Sequence, residues 1–101
     1  MHQGFRSFSE FYPFYLQEHV DRTNRALHFI GSTLVLLLVG WCAWSGQWPW
    51  LLLAPLCGYG FAWAGHFFFE KNRPATFTYP LYSFAGDWVM WKDLLTGKIR
   101  F

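Results

Sequence analysis

From Ala26 through Phe69 the chain carries no Asp, Glu, Lys or Arg, and that gap restricts what it can fold into. A turn-like cluster, Ser45-Gly46-Gln47-Trp48-Pro49, splits the stretch into two apolar arms, residues 26–44 and 50–69. Each arm has ~20 residues, which at ~1.5 Å rise per residue reaches ~30 Å, enough to cross a hydrocarbon core. Two core helices of a soluble domain would share this pattern, so composition has to decide. The chain is 53% hydrophobic and 24% aromatic but only 14% charged, against ~25% charged in ordinary soluble domains. The expected fold is therefore all-α: an integral membrane helical hairpin with amphipathic interfacial helices at both termini. Its boundaries are an interfacial helix at about 5–19, transmembrane helices at about 23–44 and 50–71 around a turn at 45–49, and an interfacial helix at about 87–96. One domain covers residues 1–101.

All eight basic residues, from Arg6 to Arg100, lie outside the arms, and the turn has none. The positive-inside rule then puts both termini on the cytoplasmic side. This would be the inner membrane of a bacterium or the endoplasmic reticulum of a eukaryote. Trp41, Trp44, Trp48 and Trp50 gather at the turn, while Tyr79, Tyr82, Trp88 and Trp91 follow the other end, as expected for aromatic belts. A net charge of +2 with no basic reading helix argues against nucleic acid. The cations suit anionic headgroups or an acidic substrate. No cleavable signal is expected, because the first apolar arm begins late and is long. Cys42 and Cys57 fall at different depths of such a hairpin, so a bridge between them is not expected.

Folding the hairpin about Gln47 puts His28 level with His66, and Asn24 level with Glu70. Both pairs are spaced i, i+4, so on helices each arm shows its two polar groups on one face. Two imidazoles, a carboxylate and an amide can thus meet near one membrane surface. A kink at Pro55 would alter the alignment.

Upstream, Phe5, Phe8, Tyr12, Tyr15, Leu16 and His19 recur at helical spacing as an aromatic stripe that should lie on the membrane or the hairpin mouth and carry His19 toward it. Pro13 implies that this helix kinks or begins there. Nine residues turn ~900° on a helix, so His19 and His28 cannot share a face of one continuous helix. A break near Val20 to Thr23, with Asp21 or Thr23 as the cap of the first arm, is required if both serve one site. Downstream, Pro74 should end the second arm and residues 76–83 look extended or looped. Gly86-Asp87 offers a cap for a short amphipathic helix closed by Gly97, which would roof the polar cluster.

Imidazoles and a carboxylate with open coordination positions suit Fe(II) or Zn(II). The candidate metal and catalytic set is His19, His28, His66 and Glu70, and His2 is left out of it. Glu70 reads equally as a ligand, as an acceptor from a ligand imidazole, or as a base. Asn24 is either a partner that orients His28 or His66 or an early-turn helix residue, and Asp87 reads as a helix cap before it reads as a ligand. Arg25 and Arg73 would clamp a substrate carboxylate or meet headgroups, and Asn72 joins them as a candidate around the site. Two rivals stay open. One is a haem-binding or electron-carrying hairpin with His28 and His66 as axial ligands; the other is a non-catalytic membrane interaction protein.

The pattern His19-x4-Asn24-x3-His28-x2-Gly31, followed by Gly65-His66-x3-Glu70-x3-Pro74-Ala75, resembles the small membrane proteins typified by the fungal 2-hydroxy fatty acid dioxygenase of fatty acid α-oxidation. The run from His66 to Phe77, with Gly86-Asp87 and Thr96-Gly97-Lys98, is similar to their short bacterial branch. The resemblance implies an Fe(II)-dependent membrane dioxygenase that uses O2 to shorten a 2-hydroxy fatty acid by one carbon. It implies that His19, His28 and His66 are essential, with Asn24, Glu70 and Asp87 as further candidates. The fungal type has more membrane spans, and it carries Gln where this chain has Trp63. Two spans offer less wall for an acyl chain, which homo-oligomerisation would supply.

Overall fold

A computed structural model describes residues 4–101, so His2 lies outside the described residues. The described residues are helical and contain no strand. Helix α1 spans Phe8–Gln17, and Ser7 caps it with Oγ accepting from the Glu10 amide at 3.3 Å. It runs through Pro13 rather than beginning there. Helix α2 spans Arg22–Ser45, and Asp21 is its cap, with Oδ1 accepting from the Asn24 amide at 3.0 Å. The break between His19 and α2 thus falls where the angular argument requires it. Gly46 closes α2 in the left-handed region at φ 76°, where a side chain would be strained.

The second arm is not one uniform helix. A 3-10 segment, Trp48–Leu53, leads into α3, Ala54–Ala64, and a π-helical turn, Gly65–Glu70, ends the arm. Pro55 occupies the first turn of α3, where no backbone N–H is needed, so it marks the change of helix type instead of kinking a long helix. The arm ends at Glu70, four positions before Pro74, because Lys71 turns left-handed at φ 63°.

The segment expected to loop differs most. After a 3-10 turn at Ala75–Phe77, helix α4 spans Pro80–Thr96, starting at Pro80 and not at Gly86-Asp87. A proline preset for the first helical position starts a helix as readily as it ends one. Asp87 is consequently a mid-helix residue, and its reading as a cap is corrected.

The arms α2 and Trp48–Glu70 are long and apolar enough to cross a membrane, and only 17% of each apolar window is buried within the chain. Leu37, Trp44, Leu52, Leu56 and Phe68 are all more than 60% exposed. The buried apolar cluster lies elsewhere: Phe11 and Tyr15 of α1 pack with Ala75 and with Met90 and Leu94 of α4. The aromatic stripe therefore faces α4. Helix α4 in turn reaches α2, where Trp91 Nε1 donates to Thr33 Oγ1 at 3.0 Å and its ring stacks on Phe29. Where α2 meets α3, a Cβ on Gly31 would stand 2.8 Å from the Cys57 carbonyl oxygen, so the helices touch backbone to backbone there. Cys42 and Cys57 are free thiols.

Candidate metal centre

Three histidines from three separate pieces of chain meet at the open end of the hairpin. His19 follows α1, His28 lies two turns into α2, and His66 lies in the π turn, with exposures of 1%, 5% and 2%. The Nε2 of His19 stands 3.2 Å from that of His28 and 2.9 Å from that of His66. One nitrogen from each of the three lies within 4.8 Å of the others.

Which nitrogens carry hydrogen follows from the other side of each ring. His19 Nδ1 lies 2.6 Å from the Tyr15 carbonyl oxygen, and His28 Nδ1 lies 3.0 Å from that of Asn24. A carbonyl only accepts, so both Nδ1 atoms donate. His66 Nδ1 lies 2.7 Å from Asn72 Oδ1, while Asn72 Nδ2 donates to the Glu18 carbonyl at 3.0 Å. That second contact fixes the amide orientation, so His66 Nδ1 also donates. All three neutral rings then aim bare Nε2 lone pairs at one point, and the short contacts between them are not hydrogen bonds.

Such a convergence is repulsive by itself and becomes favourable around a cation. Metal–nitrogen bonds of ~2.0–2.1 Å put two nitrogens ~2.9 Å apart at a right angle and ~3.4 Å apart at the tetrahedral angle. The observed 2.9 and 3.2 Å fit that interval. Around the triad is about 10 Å³ of space, the scale of one small occupant. The residues present therefore fit a three-histidine metal site with open positions. A porphyrin plane between His28 and His66 does not fit, because the His19 ring stands with its centroid 4.5 and 4.4 Å from theirs.

Around the triad the remaining candidates separate by role. Glu70 is not among the converging ligand atoms. Its carboxylate accepts from the amides of Val20 and Asp21, at 3.2 and 2.8 Å, and from Asn24 Nδ2 at 3.0 Å. It ties the end of the second arm to the N-terminus of α2, where the helix dipole favours an anion, and so holds His66 beside His19 and His28. Asn24, fully buried, joins both sides: its carbonyl orients His28 and its amide binds Glu70. The Arg25 guanidinium is taken up by the carbonyls of His19 and Arg100. Arg73 sits over the Phe77 ring in an outward-opening basin that contains none of the three histidines. Lys71, in its left-handed conformation, swings Asn72 back over the helix end to His66, a local strain placed at the site.

Asp87 reaches the site from α4. Tyr15 stacks on the His19 ring with centroids 3.9 Å apart and donates its hydroxyl to Asp87 Oδ1. Helix α4 approaches so closely that a Cβ on Gly86 would lie 2.8 Å from the Tyr15 ring. Burial pushes the Asp87 carboxyl up to about 7, although the Tyr15 hydrogen bond works against it, and burial together with Asp87 drives the Tyr15 hydroxyl well above its usual range. Burial, and then the neighbouring imidazoles, lower His19 and keep it neutral. Sequence reasoning had placed Tyr15 in the stripe without a role at the site, although its i, i+4 spacing to His19 was the available signal.

The triad opens into a larger apolar cleft of about 310 Å³, within the ~300–1,000 Å³ typical of small-molecule sites. His28, Tyr59, Ala62 and Asp87 border both spaces. From there the cleft follows α2 and α3 past Val35, Gly58 and Pro55 to Leu51, with Phe84 and Trp88 of α4 as its third wall. Over residues 5–99 the chain matches the family described as 2-hydroxy-palmitic acid dioxygenase Mpo1-like.

The chain belongs to that family.

No curated protein and no solved structure matches it. In this Mpo1-like chain Trp63 lines the space around the triad.

Proposed function

We propose that this Mpo1-like protein is a membrane-embedded Fe(II)-dependent dioxygenase that shortens 2-hydroxy fatty acids by one carbon with loss of the carboxyl carbon. The observation that carries this reading is the convergence of three imidazole Nε2 atoms beside an apolar cleft that His28 borders. His19, His28 and His66 would hold the iron, which when bound supplies O2 activation beside the substrate's carboxylate and 2-hydroxyl.

The chain's own residues do the rest. Tyr15, Asn24 and Asn72 hold each imidazole in the tautomer that offers Nε2. Glu70 fastens the two arms together at the level of the triad. The cleft takes the alkyl tail, so burial of its methylenes positions the polar head at the histidines. Helix α4 walls one side of the site with Ser83, Phe84, Asp87 and Trp88. The arms would span the bilayer, their exposed Leu, Phe and Trp side chains meeting lipid, with both termini and the triad on the cytoplasmic side by the positive-inside rule.

The test is metal analysis of anaerobically purified protein with its His28→Ala and His66→Ala variants, followed by incubation with a 2-hydroxy fatty acid and O2. The reading expects about one iron per chain, lost in both variants, and a product acid one carbon shorter. A wild type that holds no stoichiometric metal, or that holds iron and leaves the substrate intact, overturns it.

A further inference from the structure

Two polar side chains on α4 face the centre without serving the triad. Ser83 is 1% exposed, its Oγ has no hydrogen-bond partner, and it lines the space around the histidines. Asp87, one helical turn later, borders both that space and the apolar cleft. Only one of its oxygens takes the Tyr15 hydroxyl. A buried hydroxyl without a partner costs stability in a folded chain, and such a group inside a pocket marks a place where a ligand's polar atom belongs. The spacing i, i+4 puts both groups on one stripe of α4. They stand where the apolar cleft gives way to the three imidazoles.

Resting on the function proposed above, we infer that Ser83 and Asp87 form a head-group subsite in which Asp87 accepts a hydrogen bond from the substrate's 2-hydroxyl and Ser83 donates one to its carboxylate. The two contacts have different consequences. The Ser83 contact is open to any fatty acid, since every one carries the carboxylate. The Asp87 contact distinguishes a 2-hydroxy acid from its unsubstituted counterpart, because an acid lacking the hydroxyl leaves a desolvated carboxyl oxygen unpaired. Tyr15 is a positioning residue here: stacked on His19 and bonded to Asp87, it sets the carboxyl relative to the triad. The cleft alone, with its apolar walls, selects for an alkyl chain and not for the hydroxyl.

The experiment is anaerobic titration of the iron-loaded protein in detergent with a 2-hydroxy fatty acid and with the unsubstituted acid of the same length. Binding is read from tryptophan fluorescence, since Trp88 lines the cleft, and iron content is measured on each sample. Wild type should prefer the hydroxy acid. Asp87→Ala should keep its iron and lose that preference by roughly 10- to 100-fold, the value of one hydrogen bond to a buried carboxyl. Ser83→Ala, which removes an unpartnered hydroxyl and so leaves the fold intact, should weaken both acids alike and leave their ratio unchanged. If wild type prefers the hydroxy acid and both variants bind as wild type does, the subsite is wrong while the proposed function stands. If iron-loaded wild type binds neither acid, the proposed function fails and takes the subsite with it.

Discussion

The Nε2 atoms of His19 and His66 lie 2.9 Å apart, and the tautomers set by their far-side partners put no hydrogen between them. Each ring spends its only N–H on the far side, His19 on the Tyr15 carbonyl and His66 on the Asn72 side chain. Two lone pairs held this close repel, and His28 adds a third. The chain has thus placed a local cost where a cation would turn it into a gain, and metal should act on folding as well as on chemistry.

Adding Fe(II) or Zn(II) to metal-free protein should raise the thermal midpoint, by the equivalent of ~2.7 kcal/mol at a hundredfold excess over the dissociation constant. His28→Ala should abolish this response. Its metal-free form should be at least as stable as metal-free wild type apart from the loss of packing, because one of the mutually repelling nitrogens is gone. Thermal unfolding with and without chelator checks both statements, and an unchanged metal response in the variant would count against a triad.

Glu70→Ala should cost about 2–3 kcal/mol by leaving the amides of Val20 and Asp21 and the Asn24 side chain short of an acceptor. Glu70→Gln retains an acceptor oxygen and should keep most of the iron. Were Glu70 a direct ligand, Gln would lose metal as Ala does. Asn72→Ala should reduce metal affinity by roughly 10- to 100-fold, since His66 loses the acceptor that fixes its tautomer. Metal-competition titrations separate these cases.

Gly86→Ala drives a methyl group to 2.8 Å from the Tyr15 ring. Tyr15 is held by its stack on His19 and its bond to Asp87, so it cannot yield freely. A loss of about 1–3 kcal/mol is expected, together with weakened metal binding. Chemical unfolding and metal content measured on one preparation test the link.

Ala54→Trp fills the part of the cleft bordered by Leu51 and Pro55. The longest accepted substrate should lose roughly tenfold or more in kcat/KM while short chains are processed as before. A uniform loss across chain lengths would mean that the tail lies elsewhere.

Acid should weaken the contact between α1 and α4. Burial pushes the Asp93 carboxyl up, but the hydrogen bond from Tyr12, the ion pair with Lys92 and the charge of Lys98 outweigh it and hold Asp93 below the usual carboxylate range. The folded chain therefore binds fewer protons at this group than the unfolded chain does. Its stabilisation is complete above the ordinary carboxylate range and is lost as pH falls through the lowered value. Asp93→Asn should flatten this part of the stability profile, and Tyr12→Phe, which removes the 2.7 Å hydrogen bond, should reduce it. A variant whose slope in acid matches wild type would contradict the assignment.

The all-α arrangement and the pairing of polar groups across the two arms were legible in the sequence because both depend on local quantities. Missing charge over two spans and a turn between them fix length and register. Equal distance from Gln47 was enough to pair His28 with His66 and Asn24 with Glu70, as the ring contacts and the Asn24–Glu70 hydrogen bond show. A break capped by Asp21 or Thr23 followed from the angle between His19 and His28, and the structure selects Asp21. Other features hang on contacts between segments far apart in sequence. Pro80 could end or begin a helix, and only docking on α1 and α2 decides that α4 starts there and carries Ser83 and Asp87 over the histidines. Sequence offered Glu70 three chemically equal roles, whereas the bonds it makes in the fold, to the amides at the start of α2 and to Asn24, are a structural tie outside all three. The aromatic stripe of α1 would suit lipid as well as protein, and packing against Met90 and Leu94 settles the matter. Spacing along one chain determines which groups stand level with one another across two arms; which atom of each group turns inward depends on partners that only the folded chain supplies.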